Sequence, residues 1–281
     1  MLDKRLVIVS GKGGVGKSAV ASGLALMGQR HGLRILAVEM EPGGGLPAHF
    51  GTGPLEFRPR EVRPGLHAMQ MVRSDALLEY LALQLRLPGM GRFGAVARAF
   101  DALATAAPAV REIVTIGKIL WEVKEDRWDM VVVDAPPTGQ IASYLGAPAS
   151  ISELVATGRI RHQSEWMADT LADPIRTQLL LVTLPEELPT GETMETIEWV
   201  DKTGVVGPPI VVTNRILERV RTTATPEGAV GDMVTLQRSL TEEQDRWLTK
   251  LAPDLRLPYL FGLFTPGEVA AHISDDLEAL T

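Results

Sequence analysis

The 281-residue chain contains no cysteine. That absence removes disulfides, thiolate metal sites and iron–sulfur ligation in one step. No run of five basic residues occurs, and the net charge at pH 7 is −7. A protein that grips a nucleic acid by its phosphates needs the opposite balance, so no nucleic-acid partner is expected. No apolar stretch reaches the roughly 20 residues that span a bilayer, and no integral membrane segment is expected. The N-terminus runs straight into a strand without a signal-peptide pattern, and a cytoplasmic protein is the expectation. With 45% hydrophobic and 22% charged residues the chain can bury a sizeable core. One large domain over residues 1–281 is the natural reading.

What is present is organised around Gly11-Lys12-Gly13-Gly14-Val15-Gly16-Lys17-Ser18, which fits G-x-x-x-x-G-K-[ST] in full. Before it, Arg5 to Val9 is a short β-branched run that reads as a buried strand. After it, Val20, Leu24 and Met27 recur at helical spacing from Ala19 onward. Strand, glycine loop and helix are the setting in which this motif cradles phosphates. Its glycines let successive N–H groups turn into one concavity, and the helix N-terminus adds its positive dipole end. Lys17 is placed to reach the β- and γ-phosphates, and Ser18 to ligate Mg²⁺. ATP and Mg²⁺ are therefore the expected ligands, held by Gly11 through Ala19.

Three further stretches carry candidate chemistry. The strand Arg34 to Glu39 runs into Met40-Glu41-Pro42-Gly43-Gly44-Gly45, where a carboxylate precedes a proline–glycine loop. Trp128 to Asp134 is a continuous apolar run ending in an acid, as in a parallel strand covered on both faces. An acid at that end is where Mg²⁺ is held, usually through water. Pro209 to Arg215 is a strand ending in a polar pair that includes Asn214, whose amide can both donate and accept.

Gly-Lys-Gly-Gly-Val-Gly-Lys-Ser resembles the deviant phosphate loop of the arsenite-transport and tail-anchored-protein-targeting ATPases and of the related partitioning and division-site ATPases. Asp134-Ala135-Pro136-Pro137-Thr138-Gly139 resembles the second switch of that family, with Gln140 where a histidine is common. The resemblance implies a dimer with two facing ATP molecules, in which Lys12 crosses to the partner's nucleotide. It places Glu41 where the family's aspartate orients the attacking water, one methylene longer here. Glu39 is then left to contact Mg²⁺ waters or to cap the sheet end. It makes Asn214 the reader of adenine and puts Phe261, at the end of a last strand over 257–261, in the same site. The absence of cysteine excludes both a cysteine-bound metalloid and a cysteine-bound zinc clamp between subunits.

Alternating strands and helices predict an α/β P-loop NTPase with a doubly wound, mostly parallel sheet. Helical patterns predict a subdomain from about 74–125 and 141–174, with segments at Leu77 to Leu85, Phe93 to Phe100, Ala109 to Trp121 and Pro148 to Asp173. Thr222 to Gly231 reads as a loop and Thr241 to Leu251 as a helix. The resemblance implies an ATPase whose dimer opens and closes around a hydrophobic protein client, with Met90, Phe93, Phe100, Trp121, Trp166 and Met167 as candidate contacts. The glutamates of the first switch suggest an alternative, a low-turnover ATP-binding subunit paired with a homologous chain. A homodimer and a heterodimer both stay open. A partitioning ATPase on DNA is disfavoured by charge.

Overall fold

A computed structural model describes residues 1–85, 108–221 and 227–280. Its centre is an eight-stranded sheet: β1 (Leu6–Gly11), β2 (Ile35–Glu39), β3 (Arg60–Arg63), β4 (Leu66–Gln70), β5 (Met130–Asp134), β6 (Thr177–Thr183), β7 (Ile210–Ile216) and β8 (Leu255–Pro258). The order is β3-β4-β2-β5-β1-β6-β7-β8. All neighbours are parallel except β3 on β4. β1, β2 and β5 are buried along their whole length. Their unbroken apolar runs follow from helices lying on both faces, which leave no polar side to a central strand.

On one face lie α1 (Lys17–Arg30), the short α2 (Leu46–Phe50) and α9 (Pro266–Leu280). Val20, Leu24 and Met27 of α1 join Val7, Val9 and Val132 of the strands and Ile273 and Leu277 of α9 in one core. On the other face lie α3 (Arg73–Leu85), α4 (Pro108–Lys124), α5 (Thr138–Leu154), α6 (Arg159–Ala172) and α7 (Glu187–Thr203). There Ile116, Ile119 and Leu120 of α4, Ile141 and Leu145 of α5 and Leu171 of α6 share a core with Ile8, Val38 and Val133. A buried ionic cluster ties α4 to β5. Glu122, 1% exposed, accepts from Lys118 Nζ at 2.9 Å, Arg127 Nη2 at 2.7 Å and the Trp128 indole at 3.0 Å. A buried carboxylate is tolerable only when its oxygens are satisfied in this way.

Among the described residues one further helix, α8 (Gly228–Leu251), is far longer than the 241–251 that the sequence suggests. Gly228 and Gly231 lie in its first turn, so their loop-like composition concealed an apolar series, Val230, Met233, Leu236 and Leu240, that continues at helical spacing and is exposed. α5 likewise begins at Thr138 rather than Pro148. The proline is accommodated inside the helix, a position that normally breaks one. Ahead of β4, β3 adds an antiparallel edge to the sheet. β8 ends at Pro258, which puts Phe261 in the following loop instead of a strand. The segment Phe93 to Phe100, with Met90, lies outside the described residues.

Candidate active site

The phosphate-loop motif closes β1 and opens α1 at the carboxyl end of the sheet, the side on which α/β folds bind ligands. Two glycines are dictated by their surroundings. A Cβ on Gly11 would stand 2.0 Å from the Val182 carbonyl oxygen. Gly16, at φ 101°, caps α1 in the left-handed region, and a Cβ there would meet Asn214 Nδ2 at 2.5 Å. Gly13 and Gly14 have open space where a side chain would be. Val15 and Ala19 are buried beneath the loop and fix it to the core. The result is an open cradle of backbone resting on a rigid floor, the shape that N–H recognition of phosphate needs.

Around the cradle the charged groups converge. Lys17 lies over the loop, its Nζ donating to the Lys12 carbonyl at 3.3 Å. Burial pulls the Lys17 ammonium pKa down, and the nearby Asp134 and Glu41 carboxylates push it back up. Ser18 Oγ donates to Asp134 Oδ2 at 2.5 Å. Asp134 is 6% exposed, and burial raises its pKa to about 6 against the help of Ser18 and Lys17. A hydroxyl and a buried carboxylate in contact, beside a lysine, are the donor set a Mg²⁺–phosphate pair requires. Glu41 stands at the same place, close enough to act electrostatically on both Lys17 and Asp134.

Glu39 is the register partner of Asp134 across β2 and β5. It is 2% exposed, and its pKa is raised by burial and then by Asp134, despite bonds from the Leu46 and Gly44 amides. Oε2 accepts from Leu46 N at 3.1 Å and Oε1 from Gln70 Nε2 at 3.4 Å. One oxygen is thus engaged by the segment that follows Glu41 and the other by Gln70 of β4. Pro136, Pro137, Thr138 and Gly139 lead from β5 into α5. Ser10 Oγ donates to the Pro136 carbonyl at 2.7 Å.

Glu192 of α7, which sequence reasoning passed over, bridges two of these parts. It pairs with Lys12 Nζ and accepts from Thr138 Oγ1 at 3.1 Å. Those contacts, Lys12 first, hold its carboxyl below the usual range. A carboxylate on an amphipathic helix carries no local signal that would have singled it out. Asn214, 7% exposed, donates from Nδ2 to the Val15 carbonyl at 2.9 Å and accepts from Arg215 N at 2.9 Å. It braces the phosphate loop from β7. Phe261 is 65% exposed and packs on Tyr259 with ring centroids 4.7 Å apart.

The raised pKa of Asp134 has a measurable consequence. A carboxyl near 3.8 unfolded and about 6 folded favours the fold when protonated. That contribution is complete below pH 3.8 and is lost as pH rises through 6. Above pH 6 the nucleotide-free chain carries a cost of about 2–3 kcal/mol. Asp134→Asn, which keeps an acceptor for Ser18, is expected to be more stable than wild type by about that amount at pH 8 and equal to it near pH 4. Denaturant unfolding at the two pH values checks this; equal stability at pH 8 would remove the strained-carboxylate account.

A parallel, doubly wound sheet with this loop between its central strand and a helix defines a P-loop nucleotide-binding protein. Residues 4–168 match the family described as anion-transporting ATPase, which is more than half of the chain, and the protein belongs to that family. It is 37% identical over 205 residues to the ATPase BagA of Mycobacterium tuberculosis, covering 69% of this chain and 60% of that one. It is 28% identical over 153 residues to the ATPase get3 of Neurospora crassa, 54% of this chain and 45% of that one. The chain thus spans about half to three-fifths of the length of these curated relatives. Among the described residues no helix is long and apolar enough to cross a membrane.

Proposed function

We propose that the chain is a Mg²⁺-dependent ATPase that works as a dimer, with ATP-driven opening and closing around a hydrophobic client or partner protein. The observation that carries it is the convergence of Lys17, the Ser18–Asp134 pair and Glu41 on one glycine cradle. In this reading Gly13 to Ala19 wrap the phosphates through their amides. Mg²⁺, when bound by Ser18 and, through water, by Asp134, neutralises charge on the phosphates. Lys17 does the same for the transferring phosphoryl group. Glu41 holds the attacking water and accepts its proton, and Thr138 couples the second switch to the site. Asn214, braced under Gly16, keeps one amide hydrogen for a nucleotide base. Lys12 acts on the nucleotide of a partner chain after leaving Glu192. Binding of Mg·ATP that depends on Lys17 is the test.

Three of the expected client contacts, Trp121, Trp166 and Met167, are among the described residues. Met167 is 3% exposed and packs on Gly117, and Trp166 and Trp121 stack on Lys124. These residues build the helical layer. Among the described residues, exposed apolar side chains lie on α8, on the loop holding Phe261 and Leu263, and on the helical layer at Leu154 and Ile160. A second reading, the low-turnover subunit paired with a homologous chain, is favoured by the Lys12–Glu192 pair, which keeps the lysine within its own chain. Native mass spectrometry of the complex from its own cell separates the two.

A further inference from the structure

Gly43, Gly44 and Gly45 stand in a row between Glu41 and α2. Three glycines give a segment the greatest backbone freedom available. Yet this run ends in close packing. A Cβ on Gly44 would fall 2.7 Å from Glu39 Cδ. One on Gly45 would fall 2.7 Å from Ser18 Cβ and 3.1 Å from His49 Cε1. Gly45 is therefore the spacer between the candidate metal-binding serine and a histidine ring.

Two side chains hold the run in place. Glu39 takes the Leu46 and Gly44 amides from the strand side. His49 takes the other end. Its backbone N–H donates to the Gly45 carbonyl at 3.1 Å, the one helical bond that α2 supplies there. Its ring Nδ1 lies 2.6 Å from the same oxygen. A carbonyl oxygen only accepts, so Nδ1 carries the proton in this contact. A five-residue helix gives little cooperative support of its own, so the ring contact matters more than it would in a long one.

We propose that His49 is a positioning residue of the candidate phosphate site: by holding the Gly45 carbonyl, its ring fixes the triglycine loop against Ser18 and so sets where Glu41 stands. The role of the loop in hydrolysis rests on the ATPase reading; the clamp itself does not. Hydrogen exchange on the full, nucleotide-free chain therefore tests it apart from activity. His49→Phe keeps a ring and removes the donor. His49→Asn keeps a donor close to the place of Nδ1. Losing one hydrogen bond should speed amide exchange across residues 43–49 about tenfold in His49→Phe, with His49→Asn near wild type and α1 unchanged.

Exchange in His49→Phe equal to wild type, or equally fast in the Phe and Asn variants, overturns the clamp. Should His49→Phe not fold, His49→Gln, whose amide sits farther out, takes its place in the comparison with His49→Asn. Fast exchange in Gln alone supports the clamp, and no difference overturns it. In single-turnover assays His49→Phe should slow phosphate release with ATP affinity unchanged. Release at the wild-type rate despite faster exchange overturns the positioning role. A wild-type chain without turnover overturns the ATPase reading instead and leaves the exchange result to decide the clamp.

Discussion

Glu41→Gln should retain ATP and lose turnover by about a hundredfold or more, the scale of combined water positioning and general-base help. The neutral amide keeps nearly the same shape and still accepts a hydrogen bond, but it cannot take the proton of the attacking water. Glu39 serves as the contrast. Its carboxylate is buried under the Leu46 and Gly44 amides, so Glu39→Gln should disturb the loop without removing a base from the water. Single-turnover hydrolysis of both variants separates the roles. Wild-type turnover in Glu41→Gln together with a dead Glu39→Gln would reverse the assignment. Glu41→Asp, one methylene shorter, should raise turnover if the longer arm is what slows the enzyme.

Lys12→Ala should cut hydrolysis by about a thousandfold, the scale of a cationic side chain delivered in trans to a phosphoryl transition state. It should weaken ATP binding by a single chain much less, because Lys12 is tied to Glu192 on its own chain rather than to the phosphate cradle. Mixing Lys12→Ala with Glu41→Ala chains checks the claim, since a mixed dimer can contain one intact composite site. Recovery of turnover in a verified mixed dimer is expected, and its absence would confine Lys12 to its own chain. Glu192→Gln bears on the same point. Removing the charge that holds Lys12 should favour the dimer, seen as tighter nucleotide-dependent association by analytical ultracentrifugation.

The phosphate loop and Asp134 were legible in the sequence because each is written locally. The loop needs glycines at set places between a strand and a helix. Asp134 ends an apolar run that only a central strand explains. Partnerships made by the fold were not legible. Glu192 lies 180 residues from Lys12 and reaches it because α7 crosses the end of β1. His49 follows a Pro-Ala pair in a segment with no helical periodicity, and its meaning appears only where Gly45 meets Ser18. Asn214 was visible as a polar end to a strand, but its bond to Val15 depends on β7 lying two strands from β1. Helix boundaries failed where composition and tertiary context disagree. Pro148 sits inside α5, where its burial outweighs local propensity, and Gly228 and Gly231 open α8, where loop-like composition hid the helical spacing of an exposed apolar series.

The central claim is that Gly11 to Ser18, with Lys17, is a site for Mg·ATP. Calorimetric titration of the wild-type chain and of Lys17→Ala tests it most directly. Loss of a charge-assisted contact to phosphate should weaken binding by about ten- to a hundredfold. Binding by wild type and a loss of that size in Lys17→Ala is the predicted result; equal affinity in the two chains would contradict the site.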